Sequence, residues 1–385
     1  MPEPSPSRDL RLDFFRGVSL IFIFIDHVPA NILTYFTLQS IAFFDAAEVF
    51  IFISGVTASL VYGRRLVSKG ALYATAQVLR RAWQLYVAHI FLFVLFVAEV
   101  SYTARAFKNP MYNEEMRVAD FLDEPHIAVV KALLLEFQPA FLDILPLYIV
   151  MLLIFPVVLI GMQRNWVLVI VPSAILYLAV QIFDIPVSAY PAGHVWFFNP
   201  LAWQFLFVCG AVLGHCSAQG AIPPMLLKIA YPVAALIFAA TLVVRLSWTL
   251  HSIWGACPAL FVRELWPVDK NNLALLRLVS FFALALLVAT HVPRTARFLG
   301  SAAARPLVLC GQSSLEIFCL GILLSALGHF VLAEYDSTVA MQLVVNVVGI
   351  SVMFLTAKMI DWYRVVDRRP ALDPAVVRGG GEGGA

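Results

Sequence analysis

Four ionisable residues stand where ionisable residues are costly. The first apolar run, LDFFRGVSLIFIFIDHVPANIL, contains Asp26 and His27, and the second, IAFFDAAEVFIFISGVTASLVYG, contains Asp45 and Glu48. On insertion scales a charged side chain at the bilayer centre costs about 2.5–3.5 kcal/mol, so each marks either function or a polar contact between packed helices. A neutral imidazole oriented by a carboxylate is a suitable general base for taking the proton of a hydroxyl. Asp45 and Glu48 are three apart and share a helix face, whereas the consecutive Asp26 and His27 diverge by about 100°, so the expected partner of His27 lies on the second helix. Acylation of a hydroxyl is the chemistry in view, with His27, Glu48, Asp26 and Asp45 as the catalytic candidates.

Other polar residues sit at similar depth in later apolar runs. Asp143 in PAFLDILPLY and Gln204 in WFFNPLAWQFLFVCG are expected to join the same cluster, and Trp196 to lie at its rim. His89 in RRAWQLYVAHIFLF falls one level below the proposed base. Arg11 and Arg16, with Arg64, Arg65, Arg80 and Arg81, place guanidinium groups near helix ends, where they either satisfy topology or bind the phosphates of an acyl donor. Arg11, Arg16, Arg64, Arg65, His89, Asp143, Trp196 and Gln204 are therefore the substrate-binding candidates, and no metal site is expected.

These residues require an unusual scaffold. Of 385 residues, 61% are hydrophobic and 13% charged, and the mean hydropathy is +0.86. Lipid is the expected solvent. Apolar runs at 14–33, 41–63, 82–101, 139–161, 166–183, 199–216, 226–247, 272–292, 306–332 and 338–362 predict an all-α integral membrane bundle of about ten transmembrane helices. The expected organisation is a cytoplasmic segment at 1–13, one transmembrane domain at 14–363 and a disordered cytoplasmic tail at 364–385. Residues 127–138 predict an amphipathic helix on the membrane surface. Ser54-Gly55 predicts close helix packing, since no nucleophile elbow surrounds it. The five cysteines show no metal or disulfide spacing.

Alternating the runs across a membrane puts seventeen of the 26 Lys and Arg on one side and eight on the other, with Lys358 inside the last run. The richer side is expected to be cytoplasmic, with both termini there. His27 and Glu48 then fall about 10 Å below the outer face, both at one level. A near-neutral formal charge of +2 implies no nucleic-acid partner.

RLDFFRG and IDH in the first run, EVFIFISG in the second, RRAWQLYVAH in the third, WFFNPLAWQFLFVCG in the sixth and GQSSLEIFCLG in the ninth resemble the OpgC family, membrane proteins associated with succinylation of osmoregulated periplasmic glucans. That family is similar to the wider group of transmembrane acyltransferases, which pass an acyl group from a cytosolic donor to an extracytoplasmic hydroxyl or amine. The resemblance implies His27 as the catalytic histidine and Arg11, Arg16, Arg64 and Arg65 as donor-binding residues. Here Asp26 and Pro29 flank the histidine.

The expected function is thus an O-acyltransferase of a bacterial inner membrane. Its donor would be acyl-CoA, with succinyl-CoA the one that the resemblance implies, and its acceptor a periplasmic glucan or other envelope polysaccharide. No permanently bound cofactor is expected, and membrane lipid is the surrounding partner. A proton-coupled transporter using Asp26, His27 and Glu48 as a relay, or a non-catalytic partner of a glucan synthase or exporter, would account for the same buried charges.

Overall fold

The computed structural model describes residues 9–221 and 224–367. Arg8, Arg368, Arg369, Arg378 and almost all of the expected tail lie outside the described residues. The described residues are overwhelmingly helical, with two isolated β-bridges, Phe137 to Tyr190 and Ser188 to Val195. The ten apolar runs fall largely on helices, two of them within one element and one, 306–332, across two, and among the described residues six helices are long and apolar enough to cross a membrane.

Helix α1 is Leu10–His27, shorter and earlier than the run 14–33 that hydropathy alone suggests. Asp9 caps it by accepting the Arg11 backbone N–H. Its end follows from Pro29, which disfavours helical backbone at the preceding residue. Val28 is accordingly extended. Asp26 and His27 therefore occupy the last turn rather than the body of a span. Residues 28–45 then form a folded connection containing a 3-10 turn, Ile32–Phe36, and a short helix, Leu38–Ile41.

Helix α2, Ala46–Ala106, contains the second and third apolar runs, where a loop at 64–81 was expected. A straight helix of this length would extend about 90 Å, three times the thickness of a hydrocarbon core. Gly70 breaks it with φ +84, a conformation that side chains with a Cβ rarely adopt. The limbs 46–69 and 71–106 fold back on each other: Arg65 donates to Gln77 Oε1 across the turn at 3.3 Å. Phe50 on one limb meets Tyr148, and Phe96 on the other meets Phe141, so both limbs begin or end near the start of the next long helix.

That helix is α3, Ile144–Arg164, followed by α4, Val167–Phe183, and α5, Pro200–Ala218. Gly55 and Gly210 let α2 and α5 meet backbone to backbone. A Cβ on Gly55 would lie 2.1 Å from the Phe207 carbonyl oxygen, and one on Gly210 2.2 Å from that of Phe52. The small residue beside Ser54 is thus a packing device of the kind common between membrane helices. Helices α6, Pro224–Ile253, α7, Leu275–His291, α8, Arg305–Gln312, α9, Ser314–Glu334, and α10, Val339–Asp367, complete the bundle. Helix α10 continues past residue 362, so the chain between 364 and 367 is helical and not tail. Between α2 and α3 the surface helix expected at 127–138 runs over Pro125–Leu133, burying Ala128 and Ala132 and exposing Val129, Val130 and Leu133.

The bundle has two chemically different ends. At one end meet the connection 28–45, the segment 107–143, the loop 184–199 and the loop 254–274, tied by contacts such as Thr249 Oγ1 to the Ser40 carbonyl and Lys270 to Asp45. At the other end lie the start of α1, the Gly70 turn and the α7–α8 connection.

Candidate active site at one end of the helix bundle

Asp45 and Glu48 form a capping box at the start of α2, Asp45 accepting the Ala47 N–H and Glu48 accepting the Asp45 N–H. This places Glu48 in the first turn of its helix, where the sequence had suggested a position two turns in. Its remaining partner is Arg277 of α7, which donates Nε–H to Glu48 Oε1 at 2.6 Å and Nη2–H to Asp45 Oδ2 at 3.2 Å. Lys270 Nζ also meets Asp45 Oδ2 at 2.6 Å. Glu48 is 0% exposed and Arg277 8%. Burial of Asp45, Glu48 and Arg277 is tolerable because each carboxylate has a cation and the caps supply further donors.

The expected bond between His27 and a carboxylate of α2 does not form, because Arg277 and Lys270 hold both carboxylates. His27 instead packs its ring 4.5 Å from that of Phe141. Its Nδ1 is enclosed without a hydrogen-bond partner, and the ring as a whole is half-buried. Lys270 and Asp45 are the charged side chains that act on it electrostatically. Asp26 turns the other way and accepts from Thr37 Oγ1 at 2.7 Å and Gln39 Nε2 at 2.9 Å. Asp143, just before α3, lies within the electrostatic reach of Lys270 and Arg117.

Lys270 is thus paired with Asp45 and within electrostatic reach of Asp26, His27, Glu48 and Asp143. Its main chain is held by Trp203, whose indole N–H donates to the Lys270 and Asn271 carbonyls, and its ammonium lies 5.6 and 5.4 Å from the Phe197 and Phe198 ring centres. The sequence block WFFNPLAW therefore serves to seat one lysine from a different loop. Sequence reasoning assigned Lys270 and Arg277 no role beyond outward-facing positive charge. The available signal was Arg277, a lone charge inside the apolar run 272–292, which demands a buried carboxylate.

The remaining candidates separate. Gln204 belongs to the interface of α4 and α5, accepting from Ser173 Oγ at 2.6 Å and donating to the Ser173 carbonyl, away from the cluster. Trp196 is buried in the apolar core rather than at a rim. His89 is 0% exposed, and neither ring nitrogen has a hydrogen-bond partner. At the opposite end Arg11 is engaged by Asp9 and the Val292 carbonyl, and Arg16 is buried, donating to Thr57 Oγ1 at 2.8 Å. Arg64 is exposed and donates to the Leu60 carbonyl, while Arg65 lies over the Tyr62 ring, which Arg81 also approaches electrostatically. Two of the four early arginine candidates therefore serve the helix ends, and Arg64 and Arg65 remain at the surface.

Beside the cluster a cavity of about 250 Å³ opens between the segment 114–143 and the loop 189–197, with Asp143, Gln138, Arg117 and Tyr190 in its lining. In chemical terms this end combines a half-buried imidazole, an array of paired carboxylates and cations, and a polar recess next to them. No curated protein matches the chain. A family model described as OpgC protein matches residues 8–365. With nearly the whole length matched and a helical, membrane-like architecture beneath it, the chain belongs to the OpgC family.

Proposed function

We propose that this OpgC-family protein is a transmembrane O-acyltransferase that moves an acyl group from a cytosolic acyl-CoA to a hydroxyl of a periplasmic glucan. The observation that carries the reading is His27: it ends α1 beside the Lys270 network, half-buried, with Nδ1 enclosed and the ring against Phe141. Nε2 is then the nitrogen left to take a proton. The charge asymmetry of the loops supports a topology of ten crossings with both termini cytoplasmic, which puts the cluster end toward the periplasm.

In this scheme the donor's phosphates meet Arg64, Arg65 and Arg81 around the Gly70 turn, and the thioester extends along the bundle toward His27. His27 takes the proton of the acceptor hydroxyl as its oxygen attacks the thioester carbonyl. Collapse of the tetrahedral adduct breaks the carbon–sulfur bond, and the departing thiolate recovers the proton from the imidazolium, leaving an ester and free CoA. Succinyl is the acyl group that the resemblance suggests. Asp45, Glu48, Lys270 and Arg277 position the end of α1 and fix the field around the imidazole, while Asp26 ties that end to the connection 28–45.

The direct test is His27→Ala, expressed at normal level in the membrane, with the acyl content of periplasmic glucans read by mass spectrometry. Transfer is expected to fall by about 10²–10⁴-fold, the usual contribution of a general base. Unchanged acylation removes His27 from the mechanism.

A further inference from the structure

Asp143 is a carboxylate in want of a donor. It is 9% exposed, makes no side-chain cap to α3, and among the described residues its carboxylate accepts no hydrogen bond from another residue. Burying a carboxylate this way is costly unless hydrogen-bond donors reach it. The side chain lines the 250 Å³ cavity beside the Lys270 network, so a donor can arrive from there.

The other walls narrow the identity of that donor. Gln138 is 8% exposed and spends one amide N–H on the Leu135 carbonyl, leaving its amide oxygen and second N–H for a ligand. Tyr190 and Phe137 form a rigid aromatic wall: their rings meet edge to face with centres 5.7 Å apart, and the Tyr190 hydroxyl is held by Glu124 Oε2. Glu114 and Asp120 set two further carboxylates against the single guanidinium of Arg117. An excess of acceptors repels phosphates and anionic acyl groups. It suits a neutral molecule rich in O–H donors, with an apolar C–H face to lay against the aromatic wall. The cavity falls below the range of drug-sized sites and admits one small ring.

From this combination we infer that the recess holds a single hexose unit of the acceptor, with Asp143 and Gln138 binding its hydroxyls and Tyr190 its ring face. Phe141, two residues from Asp143, packs against His27, so the segment that carries Asp143 into the recess also meets the imidazole. The inference rests on the acyltransferase reading for its meaning and on direct binding for its test.

The experiment uses the purified full chain in nanodiscs and a short neutral oligoglucoside, with binding read by saturation-transfer NMR. Wild type is expected to bind it, and Asp143→Asn, Gln138→Leu and Tyr190→Ala each to weaken binding by about tenfold or more. Thermal unfolding of each variant checks that it is folded, and Gln138→Leu and Tyr190→Ala keep the test open if Asp143→Asn is not. If folded variants bind as tightly as wild type while wild type transfers acyl groups, the sugar site is wrong and the transferase reading stands. If wild type binds the sugar through these residues but never transfers an acyl group, the site stands and the transferase reading falls. No binding by wild type overturns the inference.

Discussion

Both ends of the bundle bury charge, and they handle it differently. At the end where α1 begins, pairing is closed: Asp9 caps α1 and also bonds the Arg11 side chain, Arg294 adds a second contact at 3.1 Å, and Arg11 also donates to the Val292 carbonyl. At the end where α1 stops, pairing is incomplete. Arg277 and Lys270 reach from the far side of the sequence to clamp Asp45 and Glu48, yet His27 and Asp143 beside them keep unclaimed edges. The contrast separates charges that hold helices together from groups held ready for something else.

Three sets of substitutions sharpen this contrast beyond the tests of His27 and the sugar recess. The largest effect on stability is expected at the clamp. Arg277→Met leaves Glu48 buried without its cation and should cost about 3–5 kcal/mol, visible as a large fall in the unfolding temperature in nanodiscs. Adding Glu48→Met to the same chain should recover part of the loss, because an apolar pair pays no desolvation. A double variant as unstable as Arg277→Met alone would show that the pair is not the clamp.

A middling effect is expected where backbones touch. Gly55→Ala forces a methyl group against the Phe207 carbonyl and should cost about 1–3 kcal/mol. Gly63, on the same limb, has open space around it, and Gly63→Ala should be neutral or stabilising by up to about 1 kcal/mol. Equal unfolding temperatures for the two would refute the close crossing of α2 and α5.

The smallest effect belongs to the closed end. Burial pushes the Asp9 carboxyl up, but the hydrogen bond and charge of Arg11, with the charge of Arg294, more than offset it and hold it below the usual carboxylate range. A depressed value means that Asp9 contributes stability above its unfolded value and loses it as pH falls through the folded one. Asp9→Asn should therefore lower stability by less than about 1 kcal/mol at neutral pH and narrow its gap from wild type in acid. A gap that widens in acid would reverse the assignment.

Much of this architecture was legible from composition and run length. The apolar stretches fall largely on helices because a chain in lipid must satisfy its backbone internally, and helix is the local way to do so. The boundaries that failed had local causes. Pro29 stops α1 early and moves His27 from the body of a span to its last turn. Gly70 replaces an expected loop with a sharp break between two helical limbs. Both residues are visible in the sequence, and reading hydropathy alone passed over them.

The candidate site was legible only in its members. Residue types and depth singled out Asp26, His27, Asp45, Glu48 and Asp143, since intramembrane charge is costly wherever it sits. Their partners were another matter. Nearest-helix reasoning paired His27 with Glu48, but a guanidinium outcompetes a neutral imidazole for a buried carboxylate, and Arg277 lies 229 residues from Glu48 along the chain. Which cation meets which anion depends on the packing of α1, α2 and α7 and on the loop that brings Lys270 over the cluster. The sequence by itself determined that charges are buried and in which helices. Only the tertiary structure decided which are neutralised and which are left without an ion-pair partner, because pairing is a property of distances that no single helix contains.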